Sequence, residues 1–203
     1  MKRPSFQYDG GQRPRVIAFG ECMLELARRT DGTVALGFGG DTLNTALYLA
    51  RLGQDVAYAT ALGLDPWSEE LRSAWAQEGI DLSLVLGDPD RLPGLYAIRT
   101  DAEGERSFSY WRETSAARNF FRLDAAAVAT EVMSRADLFY VTGISLSLFS
   151  PEDRDRLHAI ARSVRASGGT VVFDPNYRPR NWPSPDVARD AINGFMPLVD
   201  WAL

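Results

Sequence analysis

Four short apolar runs, at residues 16–19, 56–60, 138–142 and 171–173, set what this chain can fold into. Their apolar character is too continuous to leave one face in water, so each reads as a strand buried on both faces, the form strands take in parallel sheets. Each run also ends at a small or polar residue, as at Gly20, Thr60 and Thr142. Helical patterns lie between them. Asp65 caps a helix with Pro66 in its first turn, its buried stripe is Trp67, Leu71 and Trp75, and Gly79 stops it. Ser150 and Asp153 give a capping-box-like start to another, with the stripe Leu157, Ile160, Ala161 and Val164 and the stop Gly168-Gly169. Strand and helix in alternation imply an α/β fold, a mostly parallel sheet with helices on both faces. Two stretches break the rhythm. Residues 34–38, and the pair 95–100 and 106–112 joined by a turn at 101–104, read as antiparallel strands. Residues 82–91, rich in Asp and Pro, read as a connector, and the polar residues 1–14 as a mobile tail.

With 203 residues and 45% hydrophobic content, the chain suits one large core rather than two ordinary domains. Its net charge of −5 disfavours a nucleic-acid surface, and its arginines are scattered rather than massed. No apolar run approaches the roughly 18 residues of a membrane span, and the first residues lack the apolar stretch of a secretory signal. A cytoplasmic protein is expected, in keeping with the lone cysteine, Cys22. Cys22 reads as a small hydrophobe and His158 as an exposed helix residue, so no zinc set or Cys-His dyad emerges and no metal ligands are assigned.

Gly39-Gly40-Asp41 leads into an amphipathic helix in which Leu43, Ala46, Leu47 and Ala50 recur on one face. A diglycine lets backbone approach a ligand, and a helix start offers free N–H groups to it. Asp41 reads as the cap and Asn44 as a third-position amide turned to the same cleft. Downstream, Asp174, Asn176 and Arg178 follow a strand end, where open α/β sheets hold ligands. Arg178 suits a carboxylate or phosphate through two parallel hydrogen bonds; a turn with a surface arginine is the alternative. Tyr110 and Arg112 share one face of their strand, and with Tyr96 they suit a polyhydroxy acid, although strand aromatics commonly serve packing alone. Trp111 points the other way. Glu21, just past the first strand, is a further acceptor for a sugar hydroxyl.

The spacing of Gly39, Gly40, Asn44, Ala46, Gly53 and Gly63 resembles the signature of the PfkB, or ribokinase-like, family of sugar kinases, with Thr42 where many members carry Gly, Ala or Pro. Within it, residues 20–26, 38–44, 92–96, 109–112 and 173–180 look most like the 2-dehydro-3-deoxygluconokinases. The resemblance runs from about Val16 to Leu203. It implies a three-layer α/β/α ribokinase-like fold with a small β lid, formed by strands at approximately 23–38 and 94–112, that also makes a homo-oligomer contact. It implies ATP and Mg²⁺ for phosphorylation of 2-dehydro-3-deoxy-D-gluconate to its 6-phosphate. Gly39, Gly40, Asp41, Asn44, Tyr96, Tyr110, Arg112 and Arg178 become substrate contacts, and Asn176 and Arg178 nucleotide contacts.

Family members take their phosphate cradle and base Asp from a late Gly-Ala-Gly-Asp-like segment, which this sequence lacks. The resemblance therefore covers the N-terminal two-thirds of such a kinase, residues 15–203; no catalytic base is assigned within the chain, which alone is expected to be inactive. Two other readings stand beside it: a non-catalytic sugar-acid-binding module, and a kinase for another sugar such as fructose. A nicotinamide dehydrogenase fits poorly, because Gly20-Glu-Cys-Met departs from the Gly-x-Gly-x-x-Gly turn that cradles a pyrophosphate.

Overall fold

In the computed structural model, residues 15–29, 31–101 and 104–203 are described. The segment 1–14 and two residues of the 101–104 turn lie outside that set. The described residues form ten strands and six α-helices: β1 (Val16–Phe19), β2 (Met23–Arg28), β3 (Val34–Gly39), α1 (Asp41–Arg51), β4 (Val56–Gly63), α2 (Pro66–Gln77), β5 (Val85–Asp88), β6 (Gly94–Thr100), β7 (Arg106–Trp111), α3 (Ala126–Met133), β8 (Leu138–Thr142), α4 (Gly143–Leu148), α5 (Pro151–Ala166), β9 (Thr170–Asp174), α6 (Pro185–Phe195) and β10 (Trp201–Ala202).

The main sheet runs β10-β9-β8-β1-β4-β5, all parallel. Alternate residues of β1 feed two separate cores. Ile17 and Phe19 face the side covered by α3, α5 and α6, while Val16 and Ala18 face α1 and α2. The result is a three-layer α/β/α arrangement around a parallel sheet. Phe19 stacks on Phe149 and meets Phe120 edge-on at 4.9 Å between centroids, and on the other side Trp75 meets Tyr58 at 5.3 Å. Each fully buried aromatic or aliphatic side chain contributes about 1.5–3 kcal/mol by leaving water. None of the described helices is long and apolar enough to cross a membrane.

A second sheet, β3-β2-β6-β7, stands over the carboxyl ends of the first. Its strands are antiparallel at β2–β3 and β6–β7 but parallel at β2–β6. The register puts Met23, Glu25, Tyr96, Phe108 and Tyr110 on one face and Leu26, Leu36, Ala97 and Trp111 on the other.

Several local features differ from the sequence reading. Residues 82–91 are more than a connector, because β5 pairs with β4 at the sheet edge. Trp67 is 48% exposed, since positions 67, 71 and 75 drift about 40° per step around the helix and only the last two reach the core. Both capping carboxylate and hydroxyl act as read: Asp65 accepts from Trp67 N and Ser68 N, and Ser150 from Asp153 N. His158 is half-buried against the ring of Phe195 rather than exposed.

Candidate active site

Chain order turns back between β1 and β8: strands after β1 add on one side, and strands from β8 onward on the other. Ligands of doubly wound sheets sit outside the carboxyl ends at this switch point. A cavity of about 370 Å³ lies there, lined from the main sheet by Glu21, Ile144 and residues 178–181, and from the small sheet by Met23, Phe108 and Tyr110. Gly40, Asp41 and Arg112 complete the wall.

Six residues singled out in the sequence therefore meet in one cavity: Glu21, Gly40, Asp41, Tyr110, Arg112 and Arg178. Gly39 and Tyr96 stand just behind the wall, with the Tyr96 ring 6.0 Å from that of Tyr110. Asn176 reaches the site through Asp41, to which its Nδ2 donates at 3.0 Å. Asn44 stays outside. Gly40, not Asp41, is the N-cap of α1, so Asn44 is the fourth helical residue; it is exposed and does not line the cavity. The diglycine makes room for the chain itself, since a Cβ on Gly40 would overlap the Glu21 carbonyl and one on Gly39 the Tyr96 hydroxyl.

Charge is distributed unevenly. Glu21 and Arg112, with side chains 1% and 7% exposed, form a buried ion pair, and the Ser115 hydroxyl donates to the other Glu21 oxygen. A charge contact rather than an aligned hydrogen bond joins Arg112 Nη2 to Glu21, and the Arg112 Nε–H is buried with no acceptor among the described residues. Asp41 accepts from Thr142 Oγ1 at 2.7 Å and from Thr42 N at 2.9 Å. Arg178 bonds only the neighbouring Tyr177 carbonyl, at 3.4 Å, and neither Arg178 nor Arg180 has a carboxylate within ion-pair distance among the described residues. The cavity thus holds three guanidiniums against two carboxylates, one guanidinium already matched by Glu21.

Tyr96 donates its hydroxyl to Glu25; burial first, and that bond second, hold its pKa well above the ordinary value. The hydroxyl stays protonated at physiological pH. Burial, with the charge of Glu21 behind it, likewise raises the Cys22 thiol, consistent with a small hydrophobe. Phe108 stacks on Tyr110 at 6.3 Å and 16°, so these two rings roof the cavity, and Tyr96 continues the row behind its wall. Phe108 and Arg180 were not picked out by sequence reasoning. Alternation along β7 places Phe108 with Tyr110, and Arg180 belongs to the same Asn-Tyr-Arg-Pro-Arg run as Arg178.

The chain belongs to the pfkB family of carbohydrate kinases, whose family model matches residues 13–203, and a sugar-sized, aromatic-roofed cavity with surplus positive charge at the switch point of the parallel sheet accords with that membership. It is 42% identical over 192 residues to the 2-dehydro-3-deoxygluconokinase of Escherichia coli K12, covering 93% of this chain and 62% of that protein. The solved 2-dehydro-3-deoxygluconokinase of Thermotoga maritima superposes with a TM-score of 0.81 at 25% identity, covering 93% of this chain and 59% of that one. A fructokinase of Salmonella typhimurium is 29% identical over 168 residues, 83% of this chain and 52% of its own length. The chain spans about three fifths of the length of the curated deoxygluconokinases it matches.

Proposed function

We propose that the protein to which this chain belongs phosphorylates the terminal hydroxyl of 2-dehydro-3-deoxy-D-gluconate, with ATP as donor, and that this chain supplies the sugar side of the site. The observation that carries the reading is the pairing of two guanidiniums without carboxylate partners, Arg178 and Arg180, with a row of aromatic rings across one cavity. Rings cover the carbon chain of a sugar acid while a guanidinium grips its carboxylate in a planar fork. The buried, unpaired Arg112 Nε–H adds a donor that a bound acid satisfies. Likeness to the deoxygluconokinases supports the same substrate.

On this reading Arg178, on the segment after β9, contacts both the sugar acid and the transferring phosphoryl group, and Asn176 serves the nucleotide side; the position of both after a carboxyl strand end supports it. No Gly-Ala-Gly-Asp-like segment occurs in the 203 residues, so the phosphate cradle and the base that accepts the hydroxyl proton are assigned to the remainder of the protein. Among the described residues no group of three or more His, Cys, Asp or Glu side chains is placed to hold a metal ion. Mg²⁺ enters this reading only as the companion of the nucleotide, and no step is derived through it. The working compartment is the cytoplasm, and a second copy packs on the outer face of the small sheet, where Val34, Leu36 and Trp111 stand exposed.

Fructose is the competing substrate, favoured by the likeness to a fructokinase; a neutral sugar leaves Arg178 and Arg180 unmatched. The test is ATP-dependent turnover by the full-length protein of the keto-deoxy acid, fructose and ribose in parallel. Preference for the acid supports the proposal. Preference for fructose, or binding of the acid with no phosphate transfer, overturns it in favour of the fructokinase or the binding-module reading.

A further inference from the structure

Asp41 lines the cavity, yet its carboxylate is largely occupied by the protein. One oxygen accepts from Thr42 N at 2.9 Å, and the other accepts from both Thr142 Oγ1 at 2.7 Å and Asn176 Nδ2 at 3.0 Å. A carboxylate offers about four acceptor sites, so roughly one remains for anything else. The donors come from three segments that are far apart in the chain: the start of α1, the end of β8 and the turn after β9. Asp41 also has no cation within ion-pair distance among the described residues, and its charge goes into these hydrogen bonds, which an ionised acceptor strengthens.

Asn176 is the unusual partner. It is the one non-glycine residue with positive φ, +32°, among the described residues. Asn tolerates that region better than most residues but does not choose it without local bonds. Two bonds hold it: its N–H donates to Asp174 Oδ1 at 2.9 Å, and its side chain is tied to Asp41. Behind it, Pro175 lies so close to Gly143 that a Cβ there would overlap the Pro175 carbonyl. The next residues are Tyr177 and Arg178, and among the described residues Arg178 has no side-chain bond beyond its neighbour's carbonyl. The direction in which Arg178 leaves the backbone is therefore set upstream, at Asn176.

We infer that Asp41 is a positioning residue: through Asn176 it fixes the turn that aims Arg178 and Arg180 into the cavity, and it links the sugar-facing helix α1 to the nucleotide-facing segment after β9. The inference rests on the kinase reading for its kinetic consequence but not for its structural one.

The test is a reciprocal exchange in the full-length protein, using Asp41→Asn, Asn176→Asp and the double variant. Asn176→Asp sets two carboxylates against each other; the double variant restores one amide donor facing one carboxylate. Loss of a single coupled pair is expected to lower kcat about tenfold in Asn176→Asp with little change in sugar-acid KM, and the exchange should return kcat to within about threefold of the parent. Hydrogen exchange supplies a readout independent of turnover: peptides covering residues 175–181 should exchange faster in Asn176→Asp and regain protection in the double variant. Failure of the double variant to recover, or protection unchanged in both single variants, overturns the inference. So does a rise in sugar-acid KM alone in Asp41→Asn, which would mean that Asp41 touches the sugar itself. If the parent phosphorylates no sugar acid yet the exchange pattern holds, the kinase reading fails and the positioning role stands.

Discussion

Replacing Arg112 by alanine should destabilise the protein far more than an ordinary arginine truncation. The Glu21 side chain is 1% exposed, and without Arg112 its charge keeps only the Ser115 hydroxyl as a partner. Removing one member of a buried pair costs about 3–5 kcal/mol, because the other charge is left in a poorly polarisable interior. With a urea slope of about 2 kcal/mol per M, the unfolding midpoint should drop by about 1.5–2.5 M. Taking away both charges, in Glu21→Gln with Arg112→Met, should return most of that loss, since no uncompensated charge remains. Equilibrium urea unfolding of the full-length protein, followed by tryptophan fluorescence and far-UV circular dichroism, reads all three proteins. A loss below about 1 kcal/mol in Arg112→Ala, the range of a surface pair, would refute the argument, as would a double variant no better than the single one.

Arg178→Ala should lower kcat more than it raises sugar-acid KM, with partial recovery in Arg178→Lys, which restores charge but not the planar fork; steady-state kinetics with acid and ATP varied separately decide this, and an effect confined to sugar KM would restrict Arg178 to substrate binding. Arg180→Gln should raise KM for the sugar acid by about tenfold while leaving turnover of a neutral sugar unchanged, given about 1.5–3 kcal/mol for a hydrogen bond to a charged group. Gly143→Ala should lower the melting temperature, because its Cβ would overlap the Pro175 carbonyl and backbone would have to shift; a melting temperature equal to the parent's would contradict the packing. Burial holds the His158 imidazole below its ordinary pKa, aided by Arg162 and Arg154 and opposed by Asp155. The unfolded chain then binds the proton first on acidification, so stability falls as pH drops below about 6.5, and His158→Gln should flatten that part of the profile in unfolding midpoints at pH 7.5 and 5.5.

The strands that build the main sheet were legible because burial on both faces leaves a continuous apolar run, as at β1 and β8. β5 was not, since Val85 and Leu86 sit in a stretch punctuated by Asp and Pro, and only pairing with β4 makes them a strand. α4 was equally hidden: Gly143 opens it directly after β8, its capping bond comes from Thr142, and six residues are too few to show a helical period. In the site, Arg178 and Tyr110 were readable from strand ends and alternation. The Glu21–Arg112 pair was not, because nothing in the residues around either position records that β1 and the end of β7 meet. Asn44 differs in position from its expected place: with Gly40 as the cap it is the fourth helical residue, exposed and outside the lining of this cavity.

Whether this cavity receives a sugar acid through its guanidiniums is decided by the structure of the full-length protein with bound 2-dehydro-3-deoxygluconate. The carboxylate should lie within hydrogen-bond distance of at least one of Arg112, Arg178 and Arg180, with the carbon chain under Tyr110 and Phe108. An acid bound with its carboxylate away from all three, or bound elsewhere on the protein, would contradict it.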